Sequence, residues 1–116
     1  MGAWSRVKKM GGSGAKLPQI ASASTISLPL QHTCFDITGT TAITAVSTAV
    51  PIRPGRIVFL TSTDATGPAF TDTAIASTAN GKIHLSAALT LANGSAVVLM
   101  QHNNGSWWEV ARAANG

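Results

Sequence analysis

The chain has 116 residues, enough for one small domain, and only 10% of them are charged, with eight Lys and Arg against four Asp and Glu. Cys34 is the single cysteine, which excludes an intrachain disulfide and a cysteine-based zinc site built by one chain. No run of about 18 apolar residues occurs, which excludes a membrane-spanning helix.

The first segment, Met1 to Pro18, joins the cations Arg6, Lys8, Lys9 and Lys16 to Trp4 and the patch Gly11-Gly12-Ser13-Gly14. That patch interrupts the apolar core a secretory signal needs, so a signal peptide is not expected. Glycines also discourage regular structure, and residues 1–23 are expected to form an extended basic arm. The folded domain is expected over residues 24–116. Its cations Arg53, Arg56, Lys82 and Arg112 balance Asp36, Asp64, Asp72 and Glu109, so the whole formal excess of +4 sits on the arm. A basic surface on the body, and hence nucleic acid as a partner, is not implied. Sparse charge with abundant Ala and Thr suggests instead that the body buries surface against copies of itself.

From Thr25 the pattern is that of strands. Ile26, Leu28 and Leu30 alternate with Ser27 and Pro29, and Pro29 assigns this stretch to an edge or an irregular strand. Cys34 to Ile37 runs into a turn at Thr38-Gly39-Thr40, and Ala42 to Val46 resumes. Arg56 to Thr61, after Pro54-Gly55, is the clearest strand and reads as central and buried. Weak strands are expected over Ala69 to Thr73 and Lys82 to Leu85, with Asn80-Gly81 turning between them. Leu89 to Leu91, Ser95 to Gln101 and Ser106 to Ala113 follow, and about seven or eight short strands are expected from these stretches in all. Helix is poorly supported anywhere. The fold expected is all-β, a small β-sandwich or jelly-roll-like domain, with Ile37, Ile43, Val46, Ile57, Phe59, Leu89, Leu91, Val98 and Met100 as its core. Adjacent strand residues face opposite ways. One of Trp107 and Trp108 should therefore enter the core, and the other should meet a neighbouring subunit, solvent or a sugar.

Reactive chemistry has little to stand on. His32, His84 and His102 are isolated, with no carboxylate at ligand spacing. There is no G-x-S-x-G pattern. The glycine patch lacks phosphate-loop spacing, and Leu17-Pro18 follows where Ser or Thr and a helix should be. No catalytic residue, no cofactor and no metal site are expected.

Four segments carry a resemblance: Phe35-Asp36-Ile37-Thr38-Gly39-Thr40-Thr41-Ala42-Ile43-Thr44-Ala45-Val46, Pro54-Gly55-Arg56-Ile57-Val58-Phe59-Leu60, Leu89-Thr90-Leu91 and Trp107-Trp108-Glu109-Val110-Ala111-Arg112. In this order they resemble a module of tailed-bacteriophage virion structural proteins, found in capsid decoration (cement) proteins and in head and tail fibres. The resemblance covers Phe35 to Arg112 and consists of strand and turn patterns. It implies an oligomeric β domain in a virion. The short arm, in place of an extended shaft, favours a capsid decoration protein that docks on and stabilises the head shell. The partners then expected are the chain itself, as a homotrimer, and the major capsid protein. The location expected is the capsid exterior, after assembly in the host cytoplasm. Trp4, Arg6, Lys8, Lys9 and Lys16 would dock on the capsid, and Trp107 or Trp108 would serve an interface or a glycan. The alternative is a head- or tail-fibre adhesin that binds host surface glycans.

Overall fold

β-Branched residues in alternating runs, broken by Gly and Pro turns, favour strands throughout this chain. The computed structural model describes residues 16–47, 51–73 and 80–114, and no helix occurs among them. The strands are β1 (Gln19–Ala21), β2 (Thr25–Ile26), β3 (Cys34–Thr38), β4 (Ala45–Val46), β5 (Ile57–Thr61), β6 (Ala69–Phe70), β7 (Ile83–His84), β8 (Leu89–Thr90), β9 (Ser95–Gln101) and β10 (Trp107–Ala114). One six-stranded sheet has the order β1-β3-β5-β9-β10-β7, while β2 with β4 and β6 with β8 form two short pairs.

The chain winds between the large sheet and the short pairs. β1, β3 and β5 lie parallel, with Ile20 beside Ile37 and Cys34 beside Phe59. β2 pairs parallel with β4, and Ile43 bridges in parallel to Phe70. The first two excursions, through β2 and β4, therefore each return the chain one strand further across the large sheet. Beyond β5 the direction alternates. β9 runs antiparallel to β5, β10 runs antiparallel to β9, and β7 closes the far edge parallel to β10.

The expected all-β, sandwich-like fold is what the chain adopts. The inner face of the large sheet and the short strands enclose one apolar cluster, with Phe35, Leu60, Leu99 and Trp107 from the sheet and Ile26, Val46, Phe70 and Leu89 from the short strands. The winding itself was not legible in the turn spacing. A parallel pair needs a long crossover and leaves no hairpin signature in the sequence.

Five of the expected core residues, Ile37, Ile43, Val46, Leu89 and Leu91, are buried. Ile57, Phe59, Val98 and Met100 correct the expectation. They point out of the opposite face of the sheet, and Phe59 is 44% exposed. Val58, Leu60, Val97 and Leu99 fill the core instead. The cause is the two-residue period of a strand. In a run where both alternations are apolar, the pattern does not say which set faces inward.

The body also begins earlier than expected. Gln19–Ala21 pairs with β3, Asp36 N–H donates to the Pro18 carbonyl at 3.0 Å, and Ser22 N–H donates to the Thr38 carbonyl at 2.7 Å. The arm expected over residues 1–23 therefore gives way to strand structure by residue 18. Trp4, Arg6, Lys8 and Lys9 lie outside the described residues. Lys16 is described, and it is exposed.

Candidate functional site

The outer face of the large sheet carries two apolar rows. Cys34, Phe59, Val98 and Ala111 are register partners across β3, β5, β9 and β10. Ile57, Met100, Trp108 and His84 form the next row across β5, β9, β10 and β7. Neither row holds a Lys, Arg, Asp or Glu. Cys34, Ile57, Val98, Met100 and Trp108 are only half-buried.

A bulge enlarges this face. The β9–β10 register shifts between Glu109 and Ala111, leaving Val110 as the extra residue at 57% exposure. Strict alternation had placed Ala111 with Trp107; the bulge brings it round to the side of Trp108. Fully burying a Phe or Val side chain is worth about 1.5–3 kcal/mol relative to leaving it exposed.

The tryptophan pair divides as its spacing requires. Trp107 is 2% exposed and belongs to the core, which corrects its candidacy as an interface or glycan contact. Trp108 lies on the outer face, and its Nε1–H donates to Ser106 Oγ at 2.9 Å. Its ring is flanked by His84 at 5.0 Å and His102 at 5.4 Å between centroids. His84 is buried, with Nδ1 2.8 Å from the Thr73 carbonyl, while its Nε2 has no hydrogen-bond partner. Stacking on a sugar uses an open aromatic face, and the Trp108 ring is half-buried with two imidazoles tilted against it.

The carboxylates are absorbed separately into the scaffold. Asp36 Oδ2 accepts from Gln19 Nε2 at 3.3 Å, Asp64 accepts from Gly39 N–H, and Asp72 accepts from Leu85 N–H at 2.8 Å. Glu109 is bound by Arg112 through two bonds of 2.6 and 2.7 Å and by the Ser86 N–H and hydroxyl. The Arg112 bonds, with help from Ser86, hold the Glu109 carboxyl down at about 2. Among the described residues, no three His, Cys, Asp or Glu converge as metal ligands would.

Arg56 fastens the stretch after β2, which was expected to continue as an edge or irregular strand to Leu30 but is strand only over Thr25–Ile26. Its Nη1 donates to the Leu28 carbonyl at 3.1 Å, and its Nη2 donates to the Pro29 and His32 carbonyls at 2.8 and 3.2 Å. The guanidinium also lies 5.8 Å from the Trp107 ring centroid, in range for a cation–π contact. This gathers the chain between β2 and β3 over the entry to β5. An arginine after Pro-Gly signals a turn, and nothing in the sequence says which carbonyls it will find.

No known protein family, no curated protein and no solved structure matches this chain.

Proposed function

We propose that the chain is a bacteriophage virion structural protein, a capsid decoration protein whose β body self-associates as a trimer on the shell exterior. The observation that carries this reading is the pair of uncharged rows on the outer face of the large sheet, with Phe59 and Val110 exposed on a body of balanced charge. A subunit that worked alone would keep water in contact with those side chains. Packing them against like surfaces removes apolar area from water without stranding a charge. The basic residues Arg6, Lys8, Lys9 and Lys16, beside Trp4, then attach the oligomer to an acidic capsid surface. The major capsid protein is the partner this reading names. The glycan-binding adhesin draws less support, because the half-buried Trp108 is hemmed in by two imidazoles.

The test is immunogold labelling of intact particles with an antibody to the protein. Label distributed over the head is the expected result. Label confined to the tail, or none on the particle, overturns the decoration reading.

A further inference from the structure

Arg53 and Arg56 share a cleft in which no carboxylate answers them. The cleft holds about 310 Å³ and is lined by Leu30, Thr33, Arg53 and Arg56. Its walls are fixed by the backbone: Arg56 N–H donates to the Arg53 carbonyl at 2.9 Å, and Gly55 N–H donates to the Gln101 carbonyl at 2.7 Å. Arg53 N–H also donates to Gln101 Oε1 at 3.0 Å, and the Arg53 side chain is exposed.

The cationic groups keep spare donors. A guanidinium has five N–H donors, and the bonds to the Leu28, Pro29 and His32 carbonyls use three of those on Arg56. Burial, and secondarily the charge of Arg53, push the Arg56 pKa below its ordinary value. An anion in the cleft would relieve the repulsion between the two. None of the four Asp and Glu side chains lines the cleft; each bonds elsewhere, to Gln19, Gly39, Leu85 or Arg112, and the one buried side-chain oxygen left without a partner among the described residues, Asp36 Oδ1, lies in β3.

We propose that this cleft binds a carboxylate carried on an acidic peptide segment of a partner protein. The two guanidiniums and the Thr33 hydroxyl would hold the carboxylate, and Leu30, itself 38% exposed, would pack against the aliphatic stem. The volume is that of a small-molecule site, and a bare inorganic ion would leave most of it, and Leu30, wet. A nucleic-acid backbone would call for cations spaced along a track, whereas these two line a single cleft. The site stands independently of the virion reading, and gives the β body a contact of its own beside the basic arm.

The experiment is an NMR titration of the full chain with a capped peptide of alternating Glu and Leu, and separately with inorganic phosphate at matched ionic strength. Saturable shifts at Leu30, Thr33, Arg53 and Arg56 are expected with the peptide, and weaker binding with phosphate. R53Q should weaken peptide binding at least fivefold, and R53K should recover part of it. Replacing Lys8 and Lys9 by Gln should leave the shifts in the cleft unchanged. Arg53 is exposed, so its variants report on binding without loss of the fold. The proposal is overturned if R53Q binds the peptide as well as the parent chain, if the shifts fall outside the cleft, or if phosphate binds as tightly as the peptide.

Discussion

Phe59 and Leu60 are neighbours in β5 and face opposite sides of the sheet: Leu60 is sealed in the core, and Phe59 stands 44% exposed on the outer face. Their substitutions should therefore separate folding from association. Leu60→Ala should cost about 2–5 kcal/mol in urea unfolding. Phe59→Ala should change the unfolding free energy of dilute, dissociated subunits by less than about 1 kcal/mol, yet raise the concentration at which the oligomer dissociates. Phe59→Glu should sediment as a folded monomer. Equal destabilisation of dilute subunits by the two alanine variants would place Phe59 in the wrong layer.

The Glu109–Arg112 pair predicts an acid limb. The folded carboxyl titrates near 2, below its ordinary value of 4.5. The stability it contributes is therefore complete above pH 4.5 and lost as pH falls towards 2. The pair is partly open to solvent, which screens it, so the effect should be about 1 kcal/mol. Thermal unfolding of E109Q between pH 5 and 2.5 should show a shallower fall than the parent chain, and parallel curves would remove the pair from the account.

Two glycines with positive φ should respond unequally to a methyl group. Gly55 has φ +85° and nothing within 4 Å of a added Cβ, so Gly55→Ala should cost only the backbone term, about 1–2 kcal/mol. Gly67 has φ +60°, and its Cβ would fall 1.7 Å from the Leu91 carbonyl oxygen. Gly67→Ala must push β8 and the following chain aside, and a cost of about 3 kcal/mol or more is expected. Differential scanning calorimetry of both variants checks the order, and a milder Gly67→Ala would contradict the packing at Leu91.

Removing Met1 to Lys16 should leave the body folded and oligomeric. The pairing of the large sheet starts at Pro18, whose carbonyl accepts from Asp36, and the core cluster begins at Ile26. Circular dichroism and light scattering should match those of the full chain, while binding to empty shells should be lost. Full occupancy of shells by the truncated protein would move attachment to the β body.

Strand identity was legible where one alternation was polar or where Gly and Pro marked both ends, as at Ser95 to Gln101 and at Trp107 with Trp108. Which face turns inward was misread in β5 and in β9, where Ile57 to Leu60 and Val97 to Met100 each offer two apolar sets and only the neighbouring strands choose between them. Gln19–Ala21 was hidden for another reason: three residues of mixed polarity beside an arm gain strand geometry only from β3. The cleft at Arg53 and Arg56 was invisible in the sequence because Leu30 and Thr33 reach it through the fold. The outer face was half visible, since its residues were recognised as apolar and assigned to the wrong side.

The winding of the chain also sets the order in which the protein can come together. Among the described residues, β9 and β10 are the sole sheet partners that are also consecutive strands; β1, β3 and β5 reach one another across long crossovers, and β5 must wait for β9. Pairings so distant along the chain are slow to form. A nascent chain that has emerged only as far as β5 holds parallel strands with an open edge and no Val97, Leu99 or Trp107 to seal them. The β9–β10 hairpin is the local seed, and the sheet stays open at β5 until both of its strands have emerged.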